Sequence, residues 1–205
     1  MVGLREIDHS RLLRIAKRLV EQGETIAISD SSAGGLISAA LLTVPGASAY
    51  SAGGGVIYTR KAIGALFDPS PDKLDGIRSA TEPMACLLAD TVRSRLGADW
   101  GLAKTGATGP NGNRYGDAAG HACLAVSGKQ IASRTLETGS SDRVANMVAF
   151  ANAALELLEE WLLGMEKRHT QPRIRASSRT GRNLADARLR IAGAMADRGT
   201  ATPRR

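Results

Sequence analysis

Apolar positions along the chain recur first with the period of a helix and then with that of a strand. Apolar residues at helical spacing fill 10–22, and Gly23 ends the pattern as glycine commonly ends a helix. A short apolar run at 25–29 predicts a buried strand, and a glycine turn leads into a second helix that runs through Leu42. Further along, the pattern predicts a strand at 53–58, a short helix at 60–66 and a helix at 81–97 that opens with Thr81-Glu82-Pro83. A strand at 100–105, a hairpin at 121–136 and a long helix at 141–162 are predicted to follow.

The order of these elements predicts an α/β domain. Strands alternate with helices early in the chain and a hairpin follows, which is typical of a mixed sheet flanked by helices. Aromatic residues make up only 3% of the chain, so Leu, Val, Ile and Ala must fill the core. We therefore expect a three-layer α/β/α sandwich with a mixed, mostly parallel sheet.

A basic tail is predicted to follow this domain. Residues 166–181 are rich in Lys, Arg, Ser and Thr and poor in apolar positions, which predicts a disordered linker, and a short helix is predicted at 183–197. The segment 166–205 carries eleven basic and three acidic residues, a net charge of +8, whereas the whole chain carries +7. The predicted domain, 1–165, is therefore close to neutral, and the basic charge says little about its ligand.

No metal, cofactor or membrane partner is predicted for the chain. Cys86 and Cys123 stand in apolar runs, which favours buried free thiols. His9, His121 and His169 share no spacing typical of metal ligands. The N-terminus lacks the apolar core of a signal peptide, and no apolar stretch approaches the ~20 residues that cross a bilayer. We therefore expect a cytoplasmic protein.

A glycine-containing turn, Ser29-Asp30-Ser31-Ser32-Ala33-Gly34-Gly35, lies between the first strand and the second helix. Backbone N–H groups at a helix N-terminus bind anions, and small residues let a phosphate approach closely. The same residues also suit a tight turn with a polar helix cap. Both interpretations stay open, and neither the Walker motif nor the dinucleotide fingerprint is present.

A second glycine-rich loop, Thr105-Gly106-Ala107-Thr108-Gly109-Pro110-Asn111-Gly112-Asn113, follows the predicted strand at 100–105. Ligands of open α/β sheets bind beyond the carboxyl ends of strands, so two loops that each follow a strand can face one crevice. A plain connection is the alternative, although the length of the loop argues against it. The residues predicted to bind the ligand are Ser31, Ser32, Gly34, Gly35, Thr105, Gly106, Thr108, Gly109 and Asn111.

Ser48 is a candidate nucleophile because it follows a Pro-Gly turn that can present its hydroxyl. Tyr58 lies ten residues further along, close to Lys61, and a tyrosine or a lysine beside a serine can act as its base. Most loop serines are not nucleophiles, so an ordinary loop serine is the alternative. Sequence spacing alone does not establish that these three side chains meet.

Four blocks, in order, make residues 8–163 resemble the CinA C-terminal domain family, which includes nicotinamide mononucleotide deamidases. The turn at 29–35 is similar to the family's Ala-Glu-Ser-x-Thr-Gly-Gly, and the segment 45–58 to its Gly-Ser-Ser-Ala turn and following strand. Ser79-Ala80-Thr81-Glu82 resembles its Ala-Val-Ser-Glu helix opening, and 105–110 resembles its Gly-Ile-Ala-Gly-Pro loop.

The resemblance implies an activity and a catalytic pair. The activity is hydrolysis of the carboxamide of nicotinamide mononucleotide to nicotinic acid mononucleotide and ammonia, and a homo-oligomer is also implied. The implied pair is the serine that matches Ser48 and a lysine at the position of Ile63, which cannot accept a proton. Lys61, two residues earlier, would face elsewhere on a helix, and Tyr58 would need a pKa well below its usual ~10.

Other positions also depart from the family's pattern. Asp30 replaces a glutamate and Ala33 a threonine, while Asp117 stands in place of a cation and would repel a phosphate that it faced. One hypothesis is an amidohydrolase with Ser48 as nucleophile and Lys61, Tyr58 or both as base. A second is a catalytically impaired paralogue that binds a nucleotide-like ligand in the same crevice. A third, compatible with either, is an interaction protein whose basic tail contacts nucleic acid, a membrane or an acidic partner.

Overall fold

The computed structural model of the chain describes residues 3–67, 69 and 71–164. The predicted tail at 166–205, with its short helix at 183–197, lies outside the described residues, so the division into domain and tail stays a prediction. In the part that is described, no helix is both long and apolar enough to cross a membrane.

The described residues form helices and strands close to the predicted positions. The helices are α1 (His9–Gln22), α2 (Leu36–Leu42), α3 (Arg60–Ala62), α4 (Pro71–Leu74), α5 (Glu82–Leu96) and α6 (Arg143–Leu162). The strands are β1 (Ile26–Asp30), β2 (Ser51–Val56), β3 (Trp100–Ala107), β4 (His121–Ser127) and β5 (Ile131–Glu137). Short 3₁₀ turns lie at Leu4–Glu6 and Ala47–Ala49, and a π-helical turn lies at Ile63–Phe67.

Side-chain caps and glycines fix the helix boundaries that the sequence indicated. Asp8 accepts the N–H of Arg11 at the start of α1, and Gly23 ends the helix in the left-handed conformation, with a φ of 65°. Thr81 caps α5 in the same way, and Gly97 ends it with a φ of 60°. Because each cap satisfies backbone groups that would otherwise lack a partner, these helices begin and end close to where the cap residues stand.

The five strands form one mixed sheet in the order β2-β1-β3-β4-β5. β1 pairs in parallel with β2 and β3, whereas β4 runs antiparallel to both β3 and β5. Four strands therefore point the same way, and β4 alone is reversed. The carboxyl ends of β1, β2 and β3 meet at one edge of the sheet, where the loop between β3 and β4 also lies.

Helices cover both faces of the sheet and bury two apolar clusters, which confirms the three-layer α/β/α prediction. The cluster under α1, α2 and α6 is built mainly from leucine, isoleucine and alanine; among its buried members are Leu12, Ile15, Leu19, Ile28, Ile37, Leu41, Leu102, Leu124, Phe150, Leu155 and Leu158. The cluster under α5 is smaller, and its larger buried members are Ile57, Ile63, Phe67, Met84, Leu88 and Val92.

Strand β2 begins and ends two residues before the predicted strand. A Cβ at Gly54 would lie 2.0 Å from the carbonyl oxygen of Ile28, so glycine is required where β2 approaches β1 this closely. The last two residues of the predicted strand, Ile57 and Tyr58, instead leave the sheet. Ile57 is buried in the core, whereas Tyr58 reaches the edge where the parallel strands end.

Candidate active site

A crevice of about 290 Å³ opens at the sheet edge where the parallel strands end. The chain leaves β1 for α2 on one face of the sheet and leaves β2 for α5 on the other, so neighbouring strands diverge here, as they do at the ligand sites of open α/β sheets. The crevice is lined by Ser32 after β1, Tyr58 after β2, the loop segment 106–113 after β3, and Arg143 at the start of α6.

Asp30 holds the turn that follows β1. Its buried carboxylate accepts the N–H groups of Ala33 at 3.2 Å and Gly35 at 2.9 Å. Burial raises the pKa of Asp30, although the nearby Lys104 and these N–H groups act in the opposite direction. Asp30 thus occupies N–H groups that an anion would need, which favours the capped turn over an anion site at the start of α2.

Ser32 is the residue of this turn that faces the crevice. Its side chain is 5% exposed, and its Oγ contacts the Nζ of Lys104. The Ser32 hydroxyl also lies 3.4 Å from the carbonyl oxygen of Gly106, to which it donates, and the Thr108 hydroxyl donates to the Ser32 carbonyl at 3.4 Å. The structure therefore joins the two predicted loops at a serine that contacts an amine.

Lys104 lies behind Ser32, in the middle of β3, and is 0% exposed. Its Nζ is 4.2 Å from the centroid of the Phe150 ring, and no carboxylate of the described residues lies within salt-bridge distance. Burial lowers the pKa of Lys104 to about 7; the carboxylate of Asp30 acts against this shift, and the guanidinium of Arg143 adds to it. An amine with this pKa is substantially neutral near pH 7 and can accept a proton.

Side chains from α6 hold the loop after β3 against the crevice. Arg143 donates to the carbonyl of Gly109 at 2.6 Å and to the hydroxyl of Tyr58 at 3.1 Å. The buried amide of Asn146 donates to the carbonyl of Thr108 at 2.8 Å. These contacts fix the loop on one side and place a guanidinium at the rim of the crevice.

The same loop carries backbone donors that make no hydrogen bond to any other described residue. No acceptor is found among the described residues for four of its N–H groups: those of Thr108, Gly109, Asn111 and Gly112. Such groups can stabilise a developing oxyanion or hold a phosphate. The crevice is therefore lined by donors for negative charge and by a serine whose hydroxyl contacts the buried amine of Lys104.

Asp117 does not line this crevice, so the condition under which we expected it to repel a phosphate is not met. Its carboxylate accepts two hydrogen bonds from Arg78, at 2.6 and 3.0 Å, and one from Asn113 at 2.7 Å. The Arg78 guanidinium lowers the pKa of Asp117. Arg78 also lies over the ring of Tyr115, 5.4 Å from its centroid, so this acid serves to hold the long loop together.

The structure separates the three residues predicted to be catalytic. Tyr58 lines the crevice and is 59% exposed. Ser48 is exposed on the turn before β2, and since Tyr58 follows β2, the length of the six-residue strand, about 20 Å, lies between them. Lys61 is exposed in α3 and does not line the crevice. The structure thus brings neither proposed base to Ser48. Ser32, in contrast, lines the same crevice as Tyr58 and contacts Lys104.

The predicted ligand-binding residues divide into two groups. Those that line the crevice are Ser32, Gly106, Thr108, Gly109 and Asn111. Those that do not are Ser31, Gly34, Gly35 and Thr105. In the second group, Gly35 donates to Asp30 at the start of α2, and Thr105 is buried within β3.

Cys86, Cys123 and His121 lie among structural neighbours and not in the crevice. Both thiols are free; Cys123 is buried as predicted, whereas Cys86 is only partly buried. The ring of His121 contacts the carboxylate of Glu137 through Nδ1 and the carbonyl of Ala80 at 2.9 Å through Nε2. Within residues 3–67, 69 and 71–164, no three His, Cys, Asp or Glu side chains are grouped as metal ligands.

Sequence reasoning missed Lys104, Arg143 and Asn146 as parts of the site. Lys104 carried a usable signal, because a lysine inside an otherwise apolar strand, Leu102-Ala103-Lys104, must be buried once that strand is central in the sheet. Arg143 carried only a loose resemblance of residues 139–143 to the family's Gly-Asp-Arg. Asn146 carried no comparable signal, since only the packing of α6 against the loop brings it to the crevice.

The fold and crevice define the chain as an α/β protein with an open crevice at the carboxyl ends of its parallel strands, lined by a serine that contacts a buried lysine. The family model of the CinA C-terminal domain matches residues 9–162. The chain therefore belongs to the CinA C-terminal domain family, and the resemblance predicted from four sequence blocks is confirmed.

Two relatives illustrate the similarity in sequence. A CinA-like protein of Synechococcus sp. (strain CC9902) is 36% identical over 124 residues, which are 60% of this chain and 30% of that protein. A CinA-like protein of Myxococcus xanthus is 34% identical over 152 residues, which are 73% of this chain and 36% of that protein. The chain thus spans about a third of the length of these relatives.

Solved structures of the same superfamily share the fold. A CinA superfamily protein from Klebsiella pneumoniae 700603 aligns with a TM-score of 0.71 at 24% identity, over 76% of this chain and 98% of that chain. The competence/damage inducible protein CihA from Agrobacterium tumefaciens aligns with a TM-score of 0.68 at 26% identity, over 73% of this chain and 92% of that chain.

Proposed function

We propose that the chain hydrolyses the carboxamide of nicotinamide mononucleotide, or of a closely related nucleotide, with Ser32 as the nucleophile. The observation that carries this proposal is that Ser32 lines the crevice while its hydroxyl contacts the amine of Lys104. A serine hydroxyl is a weak nucleophile until a neighbouring group takes its proton. Membership of the CinA C-terminal domain family supports the choice of substrate.

The other groups of the crevice suit an anionic nucleotide amide. The unused N–H groups of the loop 108–112 can stabilise the negative oxygen that forms when a carboxamide is attacked. The guanidinium of Arg143 at the rim supplies a positive charge for a phosphate. A volume of about 290 Å³ lies at the lower end of the range of small-molecule sites, which fits a mononucleotide better than a larger ligand.

A second candidate function is binding of a nucleotide-like ligand without turnover. It is favoured by Ile63, which stands where the resemblance implies the catalytic lysine and is buried in the apolar cluster under α5. If no other group takes over the role of that lysine, the crevice remains a binding site only.

Ammonia release from nicotinamide mononucleotide tests the first proposal. We expect turnover by the purified protein, a loss of at least about 100-fold in Ser32→Ala, and little change in Ser48→Ala. Loss of activity in Ser48→Ala with activity kept in Ser32→Ala would support the nucleophile predicted from the sequence instead. Silence of the parent protein, combined with a ligand-induced rise in its melting temperature, would support the binding function.

A further inference from the structure

Lys104 and Ile63 lie on opposite faces of the sheet. Ile63, at the lysine position, is 6% exposed and packs with Ile57 and Phe67 under α5. Lys104 projects from β3 to the opposite face of the sheet, the same face as Leu102 two residues earlier. The chain thus lacks a lysine at one position and buries one completely at another, where it contacts a serine.

We infer that Lys104 is the general base of Ser32. In this chain the catalytic lysine then lies on β3, on the face of the sheet that α6 covers. The inference rests on the proposed function, since it assigns a residue to the same reaction. It also removes the main support for the binding-only candidate, because the role left open by Ile63 is then filled.

A purely structural role fits Lys104 poorly. A structural lysine in a core is expected to pair with a carboxylate, but the carboxylate of Asp30 is already held by the N–H groups of Ala33 and Gly35. The ring of Phe150 gives only a cation–π contact. Since methionine would fill the same space without a polar group, packing alone does not account for a lysine here.

The surroundings of Lys104 favour its neutral form. Asp30 approaches it from β1 and would stabilise an ammonium, whereas Arg143 approaches it from α6 and opposes one. The thiol of Cys123 on β4 lies on the opposite face of the sheet, and burial raises its pKa, so it stays neutral near pH 7. Burial outweighs these charges and brings the pKa of Lys104 to about 7. As an ammonium, Nζ donates to Ser32 Oγ, whereas the neutral amine offers a lone pair to the hydroxyl proton.

The geometry then allows a balanced two-step reaction. Lys104 takes the proton of Ser32 as Oγ attacks the carboxamide carbon; the C–N bond breaks, and the leaving nitrogen takes that proton from Lys104 and departs as ammonia. Water attacks the resulting ester of Ser32 and gives a proton to Lys104. The C–Oγ bond breaks, and the proton returns to Ser32 as the carboxylic acid is released.

A fluorophosphonate probe tests the base without an amide substrate. The probe reacts when Ser32 Oγ attacks phosphorus and fluoride leaves, so its rate reports how readily the serine loses its proton. We expect the labelling rate of the full-length chain to rise about tenfold per pH unit below pH 7 and to level off above it. A rate that is flat from pH 5.5 to 8.5, or absence of labelling, would overturn the inference.

Substitutions at Lys104 provide the second readout. Lys104→Met removes the amine and Lys104→Arg keeps a permanent charge, so both are expected to slow labelling by at least about 100-fold. Lys129→Met, on the exposed turn between β4 and β5, is the matched control and should label at the parent rate. Circular dichroism and melting temperature establish that the variants fold. Labelling of folded Lys104→Met at the parent rate would exclude Lys104 as the base.

Comparison of labelling with ammonia release separates this inference from the proposed function. Labelling that depends on Lys104, without ammonia release from nicotinamide mononucleotide, would uphold the base and contradict the substrate. Ammonia release that survives in Lys104→Met would uphold the substrate and contradict the base.

Discussion

Lys104 is kept inside the domain at a cost in stability. The unfolded chain holds this amine as a hydrated ammonium with a pKa near 10.5, whereas burial lowers its pKa to about 7 in the folded protein. Between these two values the unfolded chain binds one proton more than the folded chain, so stability rises with pH through this window. A residue that destabilises its own fold and contacts a nucleophile fits a catalytic role better than a structural one.

Lys104→Met should therefore stabilise the protein while it abolishes activity. We expect the free energy of unfolding in urea to increase on the order of 3 kcal/mol at pH 7, with the advantage over the parent shrinking towards pH 10. A lysine whose pKa is lower in the folded than in the unfolded chain makes the fold less stable as pH falls. The difference in unfolding free energy between Lys104→Met and the parent should therefore be largest at pH 7 and below. A difference that does not vary with pH would contradict this account of Lys104, and Lys129→Met serves as the comparison.

Ile63→Lys, which restores the lysine that the resemblance implies, should not restore activity. The new ammonium would lie among Ile57 and Phe67, on the face of the sheet opposite to Lys104, without a polar partner. We expect a loss of stability of about 2–4 kcal/mol and no faster ammonia release. Ile63→Met, which conserves volume, should cost less than about 1.5 kcal/mol. A stable and more active Ile63→Lys variant would argue for a decayed site.

The sequence predicted the residues of the crevice loops better than the contact between them. Ser32, Thr108 and Gly109 were identified because polar residues in glycine loops after strands are a local signal. The partner of Ser32 was not identified, because the parallel register that pairs Asp30 with Lys104 is a long-range property of the sheet. Ser48 was favoured by its Pro-Gly turn, and the sequence alone did not indicate that β2 separates it from Tyr58.

The approach of β2 to β1 leaves no room for a side chain at Gly54. A Cβ at this position would lie 2.0 Å from the Ile28 carbonyl oxygen, so Gly54→Ala should push the strands apart and cost at least about 3 kcal/mol. Gly64→Ala is the matched control, since a Cβ there meets nothing within 4 Å. Melting temperatures of the two variants check this, and equal values would show that β2 can shift without loss.

Helices and strands were predicted to within a few residues, whereas their arrangement was predicted only as a class. Gly23, Thr81 and Gly97 mark helix ends through local hydrogen bonds and backbone conformation, which sequence signals capture. The strand order, and the π-helical turn that divides the predicted helix at 60–66, depend on packing between distant segments. Sequence periodicity does not report that packing.

At the scale of the whole molecule, the net positive charge and the candidate active site belong to different parts of the chain. The segment 166–205 carries a net charge of +8, whereas the remaining residues are nearly neutral. The crevice therefore draws its positive charge from single residues such as Arg143 and not from a basic surface.

Removal of residues 166–205 should weaken DNA binding and leave ammonia release unchanged. We expect the full chain to bind DNA weakly at low salt with a steep loss of affinity as salt increases, and the truncated chain to bind much less, because counterion release scales with the number of basic contacts. Ammonia release should be unchanged by the truncation. Fluorescence anisotropy with a labelled duplex checks the first point, and failure of the full chain to bind at low salt would exclude the tail from this role.

The pH dependence of kcat/KM for ammonia release from nicotinamide mononucleotide, measured for the parent and Lys104→Met together, tests the central claim most directly. The account predicts that kcat/KM of the parent rises to a plateau with a midpoint near pH 7, and that folded Lys104→Met is at least about 100-fold slower at the plateau. A parent profile without this midpoint, or a folded Lys104→Met that matches the parent, would contradict it.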